Sequence, residues 1–166
     1  MNEFRPEEIV RVLHEHGVRY VLIGGLAASL HGAATPTFDV DITPATNDDN
    51  MARLSAALDA LGARVRVDGV PEGVPFRHDA KSLRELTTLN LVTAYGNLDI
   101  TNEPTGIALY EDWAVNAIEI AWHDTPVAVA ALADVVTSKE AAGRDKDKAQ
   151  LPLLRSLLAR LRRDDA

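Results

Sequence analysis

No cysteine occurs among the 166 residues, and aromatic side chains make up only 5% of them. The first absence removes disulfides, Cys-ligated zinc, iron–sulfur clusters and thiol nucleophiles. The second argues against a base-stacking platform, and Trp113 and Trp122, far apart in the chain, read as core residues. Long apolar runs are missing too. The longest, Val21 to Leu30, is interrupted by Gly24 and Gly25 and is half the roughly 20 residues that a membrane-spanning helix needs. No basic segment followed by a cleavable apolar stretch opens the chain, so a cytoplasmic location without membrane contact is expected. The histidines at 14, 16, 31, 78 and 123 lack metal-ligand spacing. His31, just before Gly32, is expected to satisfy a carbonyl at a helix end. Ser29 and Ser138 have no paired His and Asp at suggestive spacing, so serine hydrolase chemistry is not supported.

What is present is a core-forming chain, 46% hydrophobic and 25% charged, with a net charge of −8. This composition suits one domain over 1–166, with a core at about 5–130 and basic C-terminal helices at about 131–163. The charge is unevenly spread: residues 1–138 hold nine basic and 20 acidic side chains, whereas residues 139–163 hold eight and three. An acidic body with a basic tail suits a polyanion approaching one face, and equally an ordinary solvated helix.

Local patterns supply the elements. Pro6 and Gly17 bracket a helix over Glu7–His16 with Ile9, Val10 and Leu13 inward. Arg19–Ile23 reads as a buried strand, Gly24-Gly25 as a turn, and Leu26–His31 as a short helix. Phe38-Asp39-Val40-Asp41-Ile42 alternates, which predicts Phe38, Val40 and Ile42 on one face and both aspartates on the other. A helix is expected over Asn47–Leu61, capped by Asn47 or Asp48. Arg64–Val67 alternates like a strand, and Gly69, Pro71, Gly73 and Pro75 then signal a loop. Gly96-Asn97 suits a two-residue turn between strands at Leu86–Tyr95 and Leu98–Thr101. Tyr110–Asn116 is read as helical, Ile118–Trp122 and Val127–Val129 as a strand pair, and Leu132–Ala142 as a helix stopped by Gly143. The last helix runs to about Arg163 with Leu151, Leu154, Leu158 and Leu161 along one side, and Pro152 kinks it or starts its second half.

The chemistry lies in the acids and the glycines. Asp39 and Asp41 point into the same space, where like charges repel unless a divalent cation removes the cost, and Mg²⁺ favours carboxylates, waters and phosphate oxygens. Asp99 sits on a strand with the same apolar-behind, acid-in-front pattern and supplies a third carboxylate if its strand lies beside the first. Three converging acids suit a two-metal displacement on a triphosphate. Gly24-Gly25, at the end of a buried strand, lets backbone approach a ligand and turns N–H groups toward anions, although a tight turn needing glycine for geometry alone fits the pair as well. Lys139, Arg144, Lys146 and Lys148 offer cations to balance the roughly four charges of a triphosphate. Lys148, Arg155 and Arg162 recur every seven residues and form one basic stripe, open to an RNA backbone, to solvent, or to an acidic protein partner.

Taken together, Val21-Leu22-Ile23-Gly24-Gly25, the pair Asp39-Val40-Asp41 thirteen residues on, and Leu98-Asp99-Ile100 resemble the nucleotidyltransferase superfamily typified by DNA polymerase β. Gly24–Ile42 together with Leu132–Leu154 is similar to the AbiEii/MenT-like branch of toxin-antitoxin nucleotidyltransferases. The resemblance implies an α/β (α+β) nucleotidyltransferase fold, a mixed sheet flanked by helices with a C-terminal helical segment. It implies Asp39, Asp41 and Asp99 as ligands of two Mg²⁺, with Mn²⁺ an alternative. Gly24, Gly25 and Lys139 would then hold the triphosphate of an NTP, with Arg144 and Lys146 beside them, and Asp147 would orient Lys139 or Lys146. One departure stands out: many relatives carry an arginine just before the acid pair, whereas Ala33-Ala34-Thr35-Pro36-Thr37 has none.

The expected activity is transfer of a nucleotide, pyrimidine in some relatives, from an NTP to the 3′ end of tRNA, which blocks translation until an antitoxin intervenes. In this scheme Asp99 holds the catalytic metal and helps to deprotonate the acceptor hydroxyl. Two alternatives stand beside it: the same chemistry on an aminoglycoside-like compound or a protein hydroxyl, and a module that binds nucleotide or a partner without turnover.

Overall fold

The computed structural model describes residues 3–166. One eight-stranded mixed sheet organises them, in the spatial order β4-β3-β5-β6-β2-β1-β8-β7. The elements in chain order are α1 (Pro6–Glu15), β1 (Tyr20–Ile23), α2 (Gly24–Leu30), β2 (Asp39–Pro44), α3 (Asp48–Ala60), β3 (Arg64–Val67) and β4 (Val70–Val74). There follow α4 (Ala80–Glu85), β5 (Thr88–Thr93), β6 (Gly96–Thr101), α5 (Tyr110–Ala114), β7 (Ile118–Trp122), β8 (Thr125–Val129), α6 (Leu132–Ala142) and α7 (Asp145–Asp164). The expected mixed sheet flanked by helices, with a C-terminal helical segment, is the architecture observed.

The centre of the sheet is the rigid part. All four residues of β1 are buried, so helices cover both of its faces. One helical group is α1 packed on α3 and on β2 and β8; the other links α2 to α6, α6 to α7, and α5 to β1. Asn47 caps α3 by accepting from the Asn50 N–H at 2.9 Å. The buried Asn50 side chain then donates to the carbonyls of Arg19 and Ala45 and accepts from the Arg19 N–H, at 2.7–2.8 Å. One amide thereby fastens α3 to the start of β1 and the end of β2, with each polar atom of the side chain used.

Several expectations need correction. Gly69–Val74 is not a loop: Val67 pairs with Val70 across a tight Asp68-Gly69 turn, Val70–Val74 forms β4, and only Pro75 begins an irregular stretch. Gly69 takes the positive φ such a turn requires, and Pro71 is tolerated because β4 is an edge strand. The β5–β6 turn is Ala94-Tyr95 rather than Gly96-Asn97, since Gly96 already pairs with Thr93. Thr93 Oγ1 accepts from the Tyr95 N–H and donates to the Gly96 carbonyl, closing that turn. Gly96 is needed for a different reason: its φ is +114° and a Cβ there would lie 2.6 Å from the Phe4 ring. Phe38 does not share the buried face of Val40 and Ile42; it precedes the strand and is 74% exposed. The helix after β1 begins at Gly24, two residues earlier than expected. Trp113 is fully buried, but Trp122 only half. Helix α7 continues through Pro152, which is exposed, and its fully packed leucines are Leu151, Leu154 and Leu157, with Leu158 and Leu161 half-buried.

Candidate active site

The decisive contact is between strands distant in sequence. β2 runs parallel to β6 in a register that sets Asp39 opposite Asn97 and Asp41 opposite Asp99. Because alternate residues share a face, all three aspartates emerge on one side, while Val40, Ile42, Leu98 and Ile100 are buried behind them. One carboxylate oxygen of each of Asp39, Asp41 and Asp99 lies within 4.8 Å of the others. The sequence placed these acids on two strands; the structure brings them to one point.

The cluster is under electrostatic load. Burial, then repulsion from Asp39 and Asp99, pushes the Asp41 carboxyl up to about 7, against a smaller opposing pull from Lys146 and Lys139. Asp99 is also raised, first by burial, although Arg66 beside it opposes the shift. A divalent cation would relieve both, and oxygen-only donors suit Mg²⁺ or Mn²⁺. The residues present therefore fit such an ion.

Gly24 leads directly into the cluster. Ile23 pairs with Asp41, so the next residue turns over the acid, with a φ of +70°. A Cβ on Gly24 would lie 2.4 Å from Asp41 Oδ2, and one on Gly25 would lie 3.4 Å from Thr37 Oγ1. Gly24 is thus required by the acid itself as well as by the bend. Both glycines line a cavity of about 800 Å³ shared with the three aspartates, Lys139, Arg144 and Lys146.

The cationic wall is built differently. Gly143 ends α6 in the left-handed region, and α7 starts two residues later. Asp147, with no exposed side-chain surface, receives Arg144 Nε at 2.7 Å and Lys139 Nζ at 3.4 Å. Burial alone would raise its carboxyl, but the hydrogen bonds and charge of Arg144 and Lys139 prevail and hold it below the usual range. The ion-pair partners of Asp147 are Lys139 and Arg144. The basic stripe of Lys148, Arg155 and Arg162 is exposed, and Arg155 is paired with Glu140 at 2.9 Å.

Arg66 escaped the sequence reading. Its Nη2 donates to Asp99 Oδ1 at 2.7 Å, so a cation near the acids comes from β3 instead of the segment before β2. The usable signal was Arg64-Val-Arg-Val followed by Asp-Gly, a hairpin whose alternation puts both arginines on one face. A Ser–His–Asp contact also went unnoticed: Ser55 Oγ meets His78 Nδ1 at 2.7 Å and His78 Nε2 meets Asp59 at 3.3 Å. Its ring nitrogens are used in the reverse of the hydrolase order, and the contact ties the segment before α4 to α3. His31 Nε2 meets the Ala130 carbonyl at 2.8 Å, joining the end of α2 to the end of β8.

No protein-family model matches the chain, and no curated protein matches it by sequence. Solved structures do match. The lincomycin-bound crystal structure of the lincosamide antibiotic adenylyltransferase LnuA superposes with a TM-score of 0.60 over 94% of this chain and 99% of that one, at 16% identity. The solution structure of the antibiotic-resistance factor ANT(2'')-Ia gives 0.56 over 96% and 90%, also at 16% identity. The fold is that of the nucleotidyltransferases. A crystal structure of ANT(2'')-Ia in complex with adenylyl-2''-tobramycin gives 0.55 over 97% of each chain. Neither of these nucleotidyltransferase-fold neighbours is named as a toxin, so the resemblance to the AbiEii/MenT-like branch stands on the motifs alone. No helix among the described residues is long and apolar enough to cross a membrane.

Proposed function

We propose that the chain is a metal-dependent nucleotidyltransferase that moves a nucleotide from an NTP to a hydroxyl of a small, cationic, aminoglycoside-like acceptor. The observation that carries this reading is the meeting of Asp39, Asp41 and Asp99 within 4.8 Å, in one cavity with Gly24, Gly25 and Lys139. Asp39 and Asp41 would hold both Mg²⁺ ions, and Asp99 the one nearer the acceptor. When bound, the ions supply charge neutralisation at the phosphates and acidify the attacking hydroxyl. Gly24 and Gly25 let the backbone approach the phosphates, and Lys139, held by Asp147, faces them as a fixed positive charge. Asp99, in the same cluster, would accept the hydroxyl proton. A small acceptor is supported by two features: the acidic body, which attracts cations, and a match that spans nearly the whole length of enzymes whose names specify small antibiotics.

A second reading keeps the chemistry and makes the tRNA 3′ end the acceptor, with an antitoxin as regulator. The exposed stripe of Lys148, Arg155 and Arg162 favours it. One experiment tests both: each labelled NTP with Mg²⁺, offered total tRNA, an aminoglycoside panel and a lincosamide panel in competition. Label on the small molecules supports the first reading and label on tRNA the second. No transfer to any acceptor, with nucleotide still bound, supports the binding-module alternative and overturns both.

A further inference from the structure

Arg66 is placed with unusual specificity. It lies at the point where the β3–β4 register shifts between Val65 and Val67, and such irregularities re-aim side chains beside functional sites. Its last paired neighbours toward β5 are Arg64 and Val65, so the side chain leaves the ladder and crosses β5 to reach β6. There Nη2 takes Asp99 Oδ1 at 2.7 Å, while Nη1 is buried with no hydrogen-bond partner. An arginine that leaves one donor unsatisfied is held by its other contact, the ion pair. Among the described residues, Asp99 is the one member of the acid cluster with an ion pair; Asp39 and Asp41 have none, and Lys139 is engaged with Asp147. The three acids are therefore unequal before any ion arrives.

We propose that Arg66 is a resident counter-ion of Asp99 that a divalent cation must displace, so that the cluster fills in order: a first ion on Asp39 and Asp41, then a second, weaker one at Asp99. This rests on the reading of the cluster as a metal site. The physical basis is competition for one carboxylate oxygen, sharpened by repulsion between guanidinium and dication at close range. The consequence is a second ion that binds only weakly without substrate and more tightly once nucleotide phosphates help it to oust the arginine.

Mn²⁺ binding, read by electron paramagnetic resonance on nucleotide-free protein, tests this without any activity measurement. Wild type should bind two ions of unequal affinity, and Asp99→Asn should abolish the weaker one. Arg66→Met should tighten the weaker ion by about tenfold or more and leave the tighter one within about twofold, whereas Arg66→Lys should stay near wild type. Arg66→Gln, which keeps hydrogen-bonding reach without charge, carries the same expectation as Met if the methionine variant does not fold. An unchanged or weakened second ion in the uncharged variants, with the first still bound, overturns the proposal and makes Arg66 a positioning residue for Asp99. If wild type and variants alike bind no Mn²⁺, the metal reading itself falls, and this proposal with it.

Discussion

Two charged clusters contribute side chains to the same cavity, and they are balanced in opposite ways. On the sheet, Asp39, Asp41 and Asp99 crowd together with one direct cation among them, and burial plus mutual repulsion lifts the Asp41 carboxyl to about 7. On the helices, the single buried Asp147 is matched by Lys139 and Arg144 and is held below the ordinary carboxylate range. The first cluster is left with an excess of negative charge; the second is balanced within the folded chain. The sheet acids are kept at a cost to stability, as the proposed binding role requires, whereas the helix acid ties the α6–α7 junction to Lys139 and Arg144.

Substitutions should split the two clusters. The largest effect is expected for Asp41→Asn, which on the proposed reading removes a ligand shared by both ions: nucleotide transfer should fall by about a thousandfold or more, measured as initial rate at saturating NTP. The same variant sharpens the comparison through pH. An aspartate raised from its ordinary value to about 7 binds its proton more tightly when folded, so its contribution is present below pH 4 and lost as pH rises through 7. Without divalent ions, Asp41→Asn should therefore be more stable than wild type at pH 8, by up to about 4 kcal/mol, and the gap should close by pH 4. Melting temperatures in chelator at the two pH values check this, and added Mg²⁺ should narrow the gap at pH 8 by stabilising wild type.

The helix cluster should respond with the opposite sign. Asp147→Ala leaves Lys139, whose side chain is only 12% exposed, without its partner, and should cost about 3 kcal/mol at neutral pH. Denaturant unfolding measures it, and stabilisation instead would show that the junction behaves like the sheet acids. The smallest effect is expected from Arg155→Ala, which breaks an exposed pair with Glu140: about 0.5 kcal/mol or less in the same unfolding assay. A large loss of RNA labelling in that variant, with small-molecule labelling intact, would shift the acceptor assignment toward tRNA.

Much of this was legible along the chain because it depends on neighbours in sequence. The alternation of Asp39-Val40-Asp41-Ile42, the stop at Gly143 and the cap at Asn47 are short-range patterns, and each appears where local stereochemistry puts it. The misreadings came where one residue type serves two purposes. Gly96 looked like a turn residue but is required by the Phe4 ring above it, and Gly69 and Pro71 looked like a loop but belong to a tight hairpin at a sheet edge. Phe38 obeyed the alternation in sequence and not in space, because β2 begins one residue later.

What the sequence alone determined is which side chains share a face: a strand's period of two is set by its own backbone, so Asp39 joins Asp41 and stands opposite Val40 whatever surrounds them. Only the tertiary structure decided that β6 lies beside β2 in the register that sets Asp99 against Asp41, and that Arg66 reaches across β5 to that acid. Strand order and register follow from burying the apolar faces of the whole sheet together, a long-range balance that no short stretch of residues contains.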